Sequence, residues 1–144
     1  MTSGVIAAIA ALALATGLGF WWRARDGKVK TGPEAERGMT ELSDADLGAM
    51  LGQRATLVQF SSAFCAPCRA TRRVLADVAK LVDGVAHIEI DAESRLDLVR
   101  KLDVRRTPTT FVLGPDGHVT HRASGQPRKA DVIAALGAVI EFPT

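Results

Sequence analysis

Two cysteines, the only ones in the chain, stand three positions apart in Phe64-Cys65-Ala66-Pro67-Cys68. They lie at the junction of two segments with opposite patterns. Before them, Ala55-Thr56-Leu57-Val58-Gln59-Phe60 is apolar and partly β-branched, as a buried strand should be. After them, Arg69 to Val82 carries Val74, Val78, Leu81 and Val82 at helical spacing, with Arg72, Arg73, Asp77 and Lys80 between. The pair therefore sits where a strand hands over to a helix, and Pro67 falls in the first turn, where its missing N–H costs nothing. A helix N-terminus has free N–H groups and a partial positive charge, which favour a thiolate at Cys65. Cys68, one turn further in, has no such aid. One attacking and one resolving sulfur are the minimum equipment for thiol–disulfide exchange.

Two further signals follow in order. Ile90-Asp91 ends a second apolar run, and Thr107-Pro108-Thr109 opens a third, which leads into Gly114-Pro115-Asp116-Gly117. With these, Glu41 to Val139 resembles the thioredoxin family and, given the start of the chain, its membrane-anchored bacterial members. The resemblance implies catalysis by Cys65 and Cys68. It also implies a cis bond before Pro108 and a substrate-binding edge made of Phe64, Ala66, Pro67, Thr107 and Pro108, where a partner strand lays its disulfide over Cys65. Against the family pattern, Gln59 replaces a buried Asp that helps deprotonate the resolving cysteine, and His87 replaces a Lys beside it. Phe64 stands for the usual Trp, Ala66 for Gly, and Thr107 for an apolar residue. These departures point to a dedicated relative rather than a general thioredoxin.

The start of the chain is different in kind. Gly4 to Trp22, 19 residues, is uncharged and ends in Phe20, Trp21 and Trp22. As a helix it spans about 28 Å, close to a bilayer's hydrocarbon core, and the terminal aromatics suit a membrane interface. A cleaved signal peptide would carry Lys or Arg before the apolar run and a small-x-small site after it; neither is evident. A single-pass anchor in the cell membrane is expected over residues 1–22. Arg23, Arg25, Lys28 and Lys30 follow against Asp26, which places the domain on the cytoplasmic side by the positive-inside rule. Anchored thioredoxin relatives often face outward, so the extracytoplasmic side is the alternative. A net charge of +2 is too small to suggest nucleic acid.

Residues 23–40 are polar, with Gly27, Gly32, Pro33 and Gly38, and read as a free tether. Residues 41–144 form the domain. A helix starts at Ser43, strands are expected near 55–60, 85–90, 109–113 and 118–122, and helices over 69–82, 95–102 and 129–139. The expected fold is α/β, a thioredoxin-like mixed sheet with helices on both faces, preceded by the one transmembrane helix. The family's additional first strand has only a poor candidate, Arg37 to Thr40.

His118 and His121 could in principle join the cysteines around zinc, but on a strand positions three apart face opposite ways. No metal site is expected, and both histidines should be exposed. Arg69 could stabilise a thiolate or receive an acidic partner. The leading expectation is a monomeric, cofactor-free, membrane-anchored oxidoreductase exchanging disulfides with partner proteins. A non-catalytic thioredoxin-fold binding module and a metal carrier stand as alternatives.

Overall fold

The computed structural model describes residues 2–30 and 40–141. Helix α1 (Thr2–Arg25) leads the chain, and its large apolar residues from Val5 to Trp22 are exposed, half or more of each side chain reaching the surface. The helix over Gly4–Arg25, 22 residues with charge only at Arg23 and Arg25, is long and apolar enough to cross a membrane, about 33 Å of helix.

The remaining elements, in order, are β1 (Val29–Lys30), α2 (Asp44–Leu47), β2 (Ala55–Ser61), α3 (Ala66–Leu81), β3 (Val85–Asp91), α4 (Leu96–Lys101), β4 (Thr109–Leu113), β5 (Val119–Ser124) and α5 (Lys129–Glu141). One five-stranded sheet runs in the order β1-β5-β4-β2-β3. Strands β2 and β3 are parallel, with Gln59 opposite Glu89. The β2–β4, β4–β5 and β5–β1 pairs are antiparallel.

Strand β2 is central and buried at every position, which is why its sequence is a continuous apolar run. Its alternate side chains serve two cores. Ala55 and Leu57 meet Leu75 and Val78 of α3 and Val132, Leu136 and Val139 of α5. Val58 and Phe60 face Leu42, Leu47, Leu98 and Leu102 on the other side. There Phe60 meets Phe111 edge-to-face, with centroids 5.8 Å apart; truncating Phe60 to Ala would cost about 3–5 kcal/mol.

Local chemistry sets the ends of elements. Ser43 caps α2 in a capping box with Asp46, the Ser43 N–H donating to Asp46 Oδ2 at 2.9 Å. In the β4–β5 turn Gly117 has φ 83°, and a Cβ there would overlap the Leu42 carbonyl, so only glycine fits.

The fifth strand comes from the segment expected to be a free tether. Val29 pairs with Ala123 and Lys30 with Arg122, because β5 offers an unfilled row of hydrogen-bonding groups. Of the poor first-strand candidate, 37–39 lie outside the described residues. Thr40 accepts from the Val119 N–H at 3.3 Å, and Glu41 bridges to His118. Both flanks of residues 31–39 therefore lie along the same edge of β5. Among the described residues nothing pairs with the outer edge of β3.

Candidate active site

Cys65 is the N-cap of α3, with extended backbone (φ −102°, ψ 98°), and its sulfur accepts from the Cys68 N–H at 3.2 Å. Pro67 lies in the first turn. The two cysteines form a disulfide with Cα atoms 5.2 Å apart. Cys65 is half-buried, whereas Cys68 is only 1% exposed. The helix turns Cys68 inward with Thr71, Leu75 and Val78, its buried stripe. Ala66 and Pro67 are exposed, and Phe64 is fully exposed, a large apolar side chain with no packing of its own.

The second loop approaches from β4. The Thr107–Pro108 bond is cis. Thr107 Oγ1 and Ser62 Oγ lie 3.0 Å apart, tying this loop to the one that carries the cysteines. Thr109 Oγ1 donates to the Arg106 carbonyl at 2.7 Å, and the Pro108 carbonyl accepts from the Gly125 N–H at 2.8 Å. Sequence reasoning missed Ser62. A hydroxyl three residues before Cys65 could have drawn notice, but its partner lies 45 positions away.

Beneath the disulfide, Gln59 is fully buried. Its Nε2 donates to the Cys68 carbonyl at 2.9 Å. The amide oxygen can only accept, so His87 Nε2–H donates to it, at 3.3 Å. Burial lowers the His87 pKa; the Glu89 carboxylate opposes that shift and the Arg72 guanidinium reinforces it. Glu89 is itself clamped. Arg72 grips both its oxygens at 2.6 Å, and Ser61 Oγ donates to it at 2.7 Å. Burial pushes its carboxyl up, but the Arg72 and Ser61 hydrogen bonds and the Arg72 charge outweigh this and hold it below the ordinary range. The carboxylate on this row is thus committed to an ion pair. Arg69 is exposed on the outer side of α3.

His121 departs from expectation: it is 6% exposed. It pairs with Val112 and so faces the α5 side of the sheet, and burial lowers its pKa. His118 remains half-exposed. Among the described residues no three His, Cys, Asp or Glu side chains cluster to hold a metal.

Residues 39–138 match the model of the Thioredoxin family. The chain belongs to the thioredoxin family. Among curated thioredoxins, it is 33% identical to Thioredoxin H4-1 of Oryza sativa subsp. japonica over 57 residues, 40% of this chain and 44% of that protein. It is 28% identical to an H-type thioredoxin of Picea mariana over 89 residues, 60% of this chain and 70% of that one. The match to the rice thioredoxin thus spans less than half of that relative's length. Of solved thioredoxin structures, chloroplastic thioredoxin z is 25% identical with a TM-score of 0.56, over 62% of this chain and 81% of that one. A mutant thioredoxin from Halobacterium salinarum NRC-1 gives 0.60 at 22% identity, covering 74% of this chain and 89% of that one. At that identity the likeness shows the fold, a mixed sheet between helices.

Proposed function

We propose that this thioredoxin-family protein is a membrane-anchored thiol–disulfide oxidoreductase. Cys65 is the attacking sulfur, Cys68 the resolving one, and protein dithiols or disulfides are the substrates. The observation that carries the reading is the asymmetry of the pair: Cys65 caps the helix and is partly exposed, whereas Cys68 is 1% exposed behind it. In the reduced protein the Cys65 thiolate attacks a partner disulfide, forming one S–S bond and releasing one partner thiolate. Cys68, deprotonated, then attacks the Cys65 sulfur, and the partner leaves as a dithiol. Two electrons pass to the partner and the Cys65–Cys68 bond forms. The reverse sequence oxidises a partner dithiol, so electrons enter or leave through another protein's thiols.

The substrate edge is proposed at Phe64, Ala66, Pro67, Thr107 and Pro108. The Ser62–Thr107 contact supports this, since it sets the two loops side by side. Anchoring by α1 is supported by its length and by its exposed apolar surface. Arg25 lies over the Trp21 ring, 3.9 Å from its centroid, a cationic and aromatic pairing suited to the headgroup layer. The charges that follow α1 favour a cytoplasmic domain.

Insulin reduction tests the activity. Wild type should be active and Cys68→Ser should lose turnover; equal rates for both would contradict the assignment. Labelling of reduced Cys65 in intact cells by an impermeant thiol reagent tests sidedness, and no labelling is expected for a cytoplasmic domain.

A further inference from the structure

Between the end of α1 at Arg25 and the edge of the sheet there is almost no slack. Asp26, the next residue, pairs with Arg106 at 2.6 Å, and Arg106 immediately precedes Thr107 and Pro108. A single peptide group then links the two segments. The Ser124 carbonyl accepts from the Gly27 N–H at 3.0 Å, and the Gly125 N–H of the same peptide group donates to the Pro108 carbonyl at 2.8 Å. Gly27 has φ 75°, and a Cβ there would overlap the Gln126 carbonyl oxygen, so the approach is close and requires glycine. From Gly27 to Pro108 is thus two strand spacings, about 10 Å.

This fixes which end of the domain meets the lipid. The C-terminal ends of β2 and β5 and the start of β4, with the disulfide and the Pro108 loop, share the end at which α1 emerges. The Gly114–Gly117 turn lies at the other end, roughly 17 Å of strand away. A free tether of about 18 residues would let the domain roam roughly 23 Å from its anchor; the docked segment removes that freedom.

We infer that the partner is a protein embedded in the same membrane, whose reacting cysteines lie in the first layer of chain above the headgroups. This rests on the reading of the protein as an anchored disulfide exchanger. It adds that the Asp26–Arg106 and Gly27–Ser124 contacts select substrates by height.

The test uses the prereduced full chain in phosphatidylcholine vesicles. The probe is a short peptide with an internal disulfide, either free in solution or attached to a lipid headgroup through a short or a long polyethylene glycol spacer. A variant with a Gly/Ser insertion between Arg25 and Asp26 lifts the domain while keeping its internal contacts. Wild type should be oxidised about tenfold faster by the short-spacer probe than by the long one. The insertion variant should lose or reverse that preference, and both should react equally with free peptide. The same preference in both proteins would reflect tether length alone and overturns the inference, as does a wild-type preference for the long spacer. A wild type inert towards free peptide would instead overturn the exchange reading, and a chain that fails to float with the vesicles would overturn the anchoring; the inference falls with either.

Discussion

The side chain of Gln59 ties Cys68 to His87: its amide nitrogen donates to the Cys68 carbonyl at 2.9 Å and its oxygen accepts from His87 at 3.3 Å. The central strand is thereby pinned to the helix that carries Cys68. The bridge is neutral, where a carboxylate would have been able to take the Cys68 proton.

Two substitutions separate these roles. Gln59→Leu should leave the His87 donor and the buried carbonyl short of a partner, costing about 1–3 kcal/mol, read as a lower denaturant midpoint with unchanged slope. Gln59→Asp should speed resolution of the mixed disulfide near neutral pH by about tenfold or more, the scale of a positioned general base, while lowering stability. An unchanged resolution rate in a folded Gln59→Asp protein would mean another group already removes the proton.

The histidines give the fold a pH dependence of definite sign. Burial holds the pKa values of His87 and His121 below the ordinary 6.5, so the unfolded chain binds more protons. Stability should be full above about pH 6.5 and be lost as pH falls through the folded values. The depressed carboxylates, among them Asp46 and Glu89, titrate below their ordinary 3.8 and 4.5 and stay out of this window. Denaturant midpoints between about pH 5 and pH 7 should fall with acid, and His87→Gln should flatten part of that slope. A slope unchanged in both His87→Gln and His121→Gln would contradict the assignment.

The sequence made the site more legible than its setting. The cysteine motif, the Ser43 cap and the Gly-Pro-Asp-Gly turn act over a few residues, so their patterns survive in one dimension. Strand β1 does not: Val29 and Lys30 become a strand only because β5 has an open edge. The Asp26–Arg106 pair joins residues 80 positions apart, and neither neighbourhood hints at the other. His121 was expected to be exposed, like His118. Strand alternation places it inward with Ala123, and the short apolar content of β5 hid that alternation.

Phe64 should matter for partners and not for folding. It is fully exposed, so Phe64→Ala should change stability by no more than about 0.5 kcal/mol. The KM for a protein disulfide should rise about tenfold, as for an aromatic contact worth near 1.4 kcal/mol, with a small disulfide reagent unaffected. Equal effects on both substrates would remove Phe64 from the substrate edge.

In the reduced protein iodoacetamide should alkylate Cys65 first, with a pH midpoint below about 8.5. The helix N-terminus stabilises that thiolate, and Cys68 lies behind it at 1% exposure. Faster alkylation of Cys68 would reverse the assignment of the two sulfurs.

The most direct measurement is to trap the intermediate. Cys68→Ser, prereduced and mixed with a peptide carrying an intermolecular disulfide, should stop at the first step. Intact mass should then show one peptide half on Cys65, removable by a thiol reductant, while wild type under the same conditions proceeds to its own disulfide with no adduct retained. A Cys68→Ser protein that is folded and stays unmodified, or that carries the adduct anywhere but Cys65, would contradict the claim that this pair exchanges disulfides through Cys65.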